Sequence, residues 1–90
     1  MQRLEIVVEG KVQGVWFRAS TKEAADEVGA AGTVRNRPDG RSVEVVVEGT
    51  EDQVKHVLDF VHRGPPEARV DRVESREAEP QQLEGFVVLR

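Results

Sequence analysis

Val43, Val45 and Val47 alternate with Glu44, Val46 and Glu48 and stop at Gly49, a period of two that fits a β-strand with one buried face. That strand constrains everything else, because its row of valines needs partner strands beside it and a second layer over it. One partner is adjacent. Pro38-Asp39-Gly40 has turn chemistry: proline presets φ, aspartate bonds to nearby backbone and glycine accepts a positive φ. A short strand around Thr33 to Arg37 is therefore expected to pair with the valine strand as a hairpin. Another partner begins the chain, from about Arg3 to Glu9, with Leu4, Ile6 and Val8 on one face and Val7 on the other.

The covering layer is written at helical spacing. Phe17, Thr21, Ala24, Ala25 and Val28 fall on one helical face, and Gly29 is placed to take the left-handed conformation past the end. Phe17 is thus expected in the core, with Trp16 pointing elsewhere and exposed. Thr50-Glu51-Asp52-Gln53 reads as a capping box, followed by the stripe Val54, Val57, Leu58 and Val61, and Gly64-Pro65-Pro66 ends that second helix. Val70 and Val73 mark a strand from Ala68 to about Glu77, irregular because the valines are three apart. Phe86 to Arg90 closes the chain as a short strand at a sheet edge. The order strand, helix, strand, strand, helix, strand is the split β-α-β arrangement, an α+β fold (βαββαβ) with a mostly antiparallel sheet, both helices on one face and the first strand central.

Ninety residues suit one domain, spanning residues 1–90, in which roughly 60 to 65% of the unfolded chain's surface is buried. There is no cysteine, which excludes disulfides, thiolate metal sites and a cysteine nucleophile. No apolar run approaches the ~20 residues of a membrane span, and the start of the chain lacks signal-peptide character, so a cytoplasmic protein is expected. His56 and His62 are six apart, on different helix faces and unable to share a metal ion. The net charge of −4 argues against binding a nucleic-acid backbone. Within this acidic chain, Gly10 to Lys22 holds Lys11, Arg18 and Lys22 without an acid, and Val28 to Pro38 holds Arg35 and Arg37 without an acid. Brought together, these islands would make a local positive pocket for a small anion.

The first island coincides with the junction between strand and helix, Gly10-Lys11-Val12-Gln13-Gly14-Val15-Trp16-Phe17-Arg18. Glycines there allow backbone N–H groups to turn inward, and a helix N-terminus adds unpaired donors and the positive end of its dipole. Arg18 would stand at the mouth of that cradle with a donor fork suited to phosphate oxygens. A plain tight turn accounts for the same glycines.

The segments GKVQGVWFR, GTVRNRPDG and GPPEARVDRV, in this order and spacing, resemble the acylphosphatases through nearly the whole chain. That resemblance implies a ferredoxin-like two-layer sandwich that hydrolyses the mixed anhydride of a carboxylic acid and phosphate, with no metal and no cofactor. The phosphate-binding arginine of the family falls on Arg18 and its water-positioning asparagine on Asn36. Its cradle of amides corresponds to Gln13, Gly14, Val15, Trp16, Phe17 and Arg18. The expected partners are a small-molecule acyl phosphate and inorganic phosphate, with no nucleic acid and no membrane, for a monomeric protein. Thr33 stands where the family commonly has tryptophan, a departure expected to touch packing or substrate fit.

Two other readings share this topology. An RNA-recognition module needs stacking aromatics on its central strands, and the first strand and the valine strand have none. A regulatory domain that senses a small anion would keep the pocket without turnover.

Overall fold

A computed structural model describes residues 1–90. Its elements are β1 (Gln2–Lys11), α1 (Phe17–Val28), β2 (Ala31–Asn36), β3 (Ser42–Gly49), α2 (Glu51–Arg63), β4 (Arg69–Glu77) and β5 (Phe86–Val88). They form one five-stranded sheet in the order β4-β1-β3-β2-β5. All neighbours pair antiparallel except β5, which runs parallel to β2. The α+β split β-α-β arrangement expected from the alternation of patterns is present, as is the ferredoxin-like sandwich that the resemblance implies, with the short last strand at an edge.

The apolar periods meet between the layers. Ile6 and Val8 from β1, Val43, Val45 and Val47 from β3 and Val34 from β2 lie beneath Phe17 and Ala25 of α1 and Val54, Val57 and Val61 of α2. Both helices end on glycines at positive φ, Gly29 at 75° and Gly64 at 71°. The capping box is also formed: the Gln53 amide donates to Thr50 Oγ1 at 3.2 Å, and Thr50 N–H donates to Gln53 Oε1 at 2.8 Å. The other face of the sheet carries charge, with Arg35 Nε donating to Glu44 at 2.8 Å and Arg76 Nε to Glu5 at 2.9 Å. No helix is long and apolar enough to cross a membrane.

β2 begins at Ala31, two residues before the position read from the sequence, because its ladder with β3 continues to the pair Ala31↔Glu48. The odd spacing of Val70 and Val73 is a bulge: Glu9 pairs with Arg72 and Gly10 with Val70, which leaves Asp71 out of register. Gly10 sits opposite that bulge at φ 138°, where a Cβ would run into the carbonyl of Arg69. Gly10→Ala is therefore expected to lower stability by about 2–4 kcal/mol, measured as a fall in the urea midpoint. An unchanged midpoint would show that β4 yields there without strain.

Candidate active site

The loop between β1 and α1 is shaped by alternating anchors. Val12 and Val15 are buried in the core, as is Phe17, so the residues between them are forced toward solvent. Gly14 takes φ 74° and Trp16 takes the left-handed pair φ 65°, ψ 20°. Trp16 is thereby the N-cap of α1, 78% exposed and without a side-chain cap bond, and the first turn of the helix has no acidic residue. Ser20 N–H is the first to return to the chain, at 3.0 Å from the Trp16 carbonyl. From Gly14 to Ala19 no backbone N–H donates to a protein acceptor. A run of unpaired amides with no competing carboxylate is a ready anion cradle.

Gln13 fixes this loop to the hairpin. Its side-chain amide donates to the carbonyls of Arg37 at 2.8 Å and Ser42 at 2.9 Å, the residues on either side of the turn. The turn is itself stiffened by Asp39, whose carboxylate accepts from Ser42 Oγ at 2.6 Å and from the Arg41 and Ser42 amides at 2.9 and 3.0 Å. The Ser42 hydroxyl, and then the Arg41 amide, hold the Asp39 carboxyl below the usual carboxylate range. A loop and a strand end that are distant in sequence thus share one rigid support.

Arg18 and Asn36 open into the same cavity, about 420 Å³ in volume, together with Gly14, Trp16 and Phe17. Arg18 projects from the first turn of α1, half-buried, and its Nη1 donates to the carbonyl of Leu89 at 3.0 Å. That bond uses one corner of the guanidinium and leaves the rest of its donor fork free. Asn36 is the last residue of β2, and its side-chain amide makes no hydrogen bond within the chain, nor is it deeply buried. Of the other expected cradle residues, Gln13 serves through its side chain as a bridge to the hairpin and Val15 as a core anchor.

The two basic islands do not merge into one pocket. Arg35 points to the opposite face of the sheet and is paired with Glu44, while Lys22 is held by Asp26 at 2.9 Å and by the Phe86 carbonyl at 3.0 Å. A strand's alternation explains the first of these: Asn36 and Arg35 are neighbours, so their side chains leave on opposite faces. The second cation at the cavity is Arg90, which with Val88 belongs to the closing strand expected at a sheet edge rather than at the site, and Val12 joins them from just before the expected cradle. Nothing local ties the last residues of the chain to a loop 70 or so positions earlier.

The acylphosphatase family model matches residues 4–88. The chain belongs to the acylphosphatase family. An acylphosphatase of Methylococcus capsulatus is 48% identical over 91 residues, covering 100% of this chain and 98% of the relative. One of Pyrobaculum arsenaticum is 53% identical over 76 residues, 84% of this chain and 80% of the relative. The crystal structure of acylphosphatase from Bacillus subtilis superposes with a TM-score of 0.94 at 34% identity, over 100% of both chains. As an acylphosphatase, the protein is a hydrolase whose substrates are acyl phosphates and whose product is phosphate.

Proposed function

We propose that the cavity between α1 and the β2 end is where this acylphosphatase works, and that Arg18 and the amides of Gln13 to Arg18 hold the phosphoryl group while Asn36 positions the attacking water. The observation that supports this is the convergence of an arginine fork, a free carboxamide and unpaired amides on one cavity. Water adds to phosphorus as the bond from phosphorus to the acyl oxygen breaks, and its electron pair leaves with the carboxylate. A carboxylate with a conjugate-acid pKa near ~4 departs without help from a general acid. The chain's task is then positioning and charge stabilisation, which is what phosphoryl transfer asks of a protein.

No Asp, Glu or His side chain lines the cavity. The water's proton accordingly passes to a phosphoryl oxygen of the substrate, and Asn36 holds the water through its carboxamide oxygen. The mechanism uses no metal ion. We further propose that residues 1–90 act as one monomeric cytoplasmic domain and that nucleic acid is not a partner, since β1 and β3 carry no aromatic for base stacking.

Hydrolysis of benzoyl phosphate in heavy-oxygen water with chelator present tests the scheme. The expected result is turnover that resists the chelator and places the label in inorganic phosphate. Label found in benzoate would mean attack at the carbonyl carbon, and activity lost to chelator and restored by magnesium would overturn the metal-free step.

A further inference from the structure

Glu48 is the chain's one fully buried carboxylate, 1% exposed, and the proposed chemistry does not use it. It lies far from the cavity. Its ladder partners are Arg3 near the start of β1 and Ala31 at the start of β2, whereas the loop comes after the end of β1 and Asn36 is the end of β2. At that far end of the sheet the chain crosses from β4 at one edge to β5 at the other, past the ends of β1, β3 and β2.

The crossing segment has almost nothing else to hold it. Ala78 N–H donates to the Arg3 carbonyl at 3.1 Å, and Gly85 accepts from Gly32 N–H at 3.0 Å. Between them, residues 79–84 make two hydrogen bonds, and both go to Glu48: Gln81 N–H at 2.7 Å and Leu83 N–H at 2.9 Å. Arg3 Nη1 supplies the counter-charge at 2.8 Å. Burial pushes the Glu48 carboxyl up, but the Gln81 and Leu83 amides and Arg3 outweigh it and leave it below the usual range. The carboxylate is therefore ionised at neutral pH and fully paired.

Beyond this crossing the chain reaches the cavity. β5 is three residues long and paired on one side, Gly32↔Phe86, Thr33↔Val87 and Val34↔Val88, a ladder short enough to depend on its flanks for register. Its continuation puts Leu89 N–H on the Val34 carbonyl at 2.8 Å and the Leu89 carbonyl on Arg18 Nη1 at 3.0 Å. We infer that Glu48 is a positioning residue for Arg18: it fixes the crossing segment, which sets the seat of β5 and with it the place where the Leu89 carbonyl holds the guanidinium. This rests on Arg18 as the phosphate ligand. The coupling is reciprocal, so phosphate on Arg18 also tightens the grip of Glu48 on Gln81 and Leu83.

The test measures the Kd for inorganic phosphate at 25 °C on wild type, Glu48→Gln, Arg18→Ala and Val57→Ala. Val57 is buried in α2, outside the cavity lining and with no hydrogen bond to the crossing segment, and its truncation controls for lost stability alone. Glu48→Gln is expected to weaken phosphate by about 5-fold or more, with Val57→Ala binding as wild type does. Should Glu48→Gln fail to fold, hydrogen exchange on the wild type decides: saturating phosphate slows the locally opening amides of Gln81 and Leu83 by a similar factor. Wild-type affinity in Glu48→Gln, or exchange at those amides indifferent to phosphate, overturns the coupling. Wild-type affinity in Arg18→Ala instead removes the reading of Arg18 on which the inference stands.

Discussion

Replacing Arg18 by alanine is expected to weaken inorganic phosphate and to lower kcat/KM for benzoyl phosphate, each by about 10²-fold or more. The guanidinium is positioned before substrate arrives, because the Leu89 carbonyl already holds one of its corners, so little reorganisation stands between binding and reaction. Arg18→Lys is expected to recover only a small part of the loss, since an ammonium cannot reach the Leu89 carbonyl and two phosphoryl oxygens in one plane. The folded state should survive both changes. β5 keeps its ladder to β2, and Lys22 still holds the Phe86 carbonyl. Isothermal titration with phosphate, beside steady-state kinetics, measures both losses; an alanine variant that binds phosphate normally would place the anion elsewhere.

Asn36→Ala is the complementary result. Its rate is expected to fall by about 10²-fold or more while the Kd for phosphate stays near that of wild type. The split comes from the roles: a residue that orients the water acts on the step and not on the resting anion, so kcat falls and KM does not rise. Asn36 makes no side-chain hydrogen bond within the chain and pairs through its backbone with Val43 in the β2–β3 ladder, so the shorter side chain leaves no buried partner unsatisfied. Near-normal turnover in this variant would sink the assigned role. Equal losses in rate and phosphate affinity would make Asn36 a second phosphate ligand.

The parts of this fold that are legible in the sequence are those set by neighbouring residues. Gly29, the Thr50 box and Gly64-Pro65-Pro66 punctuate both helices through local chemistry, and the valines of β3 declare their face within eight residues. The hidden parts depend on residues far apart in sequence. Arg3 and Glu48 stand at positions that alternation assigns to the polar face, yet they are buried as a pair 45 residues apart. The same holds at the cavity. Arg18 and Asn36 sit in motifs that resemblance marks, while the Leu89 carbonyl that holds Arg18 is 71 positions away and carries no side-chain signal at all. Arg35 misleads in the other direction, because charge counted along the chain ignores which side of a strand a residue takes.

A cradle made of amides keeps its chemistry in backbone angles rather than in side chains. On the proposed reading, Gly14 supplies an angle and Val15 a foothold in the core, whereas the indole of Trp16 faces outward over the cavity rim. On that same reading, exchange of this one side chain for another compatible with its left-handed conformation leaves every phosphate donor in place and alters only the rim of the cavity. Substrate choice in such a protein can drift by single mutations without passing through an inactive intermediate, so the reaction and its selectivity are free to evolve separately.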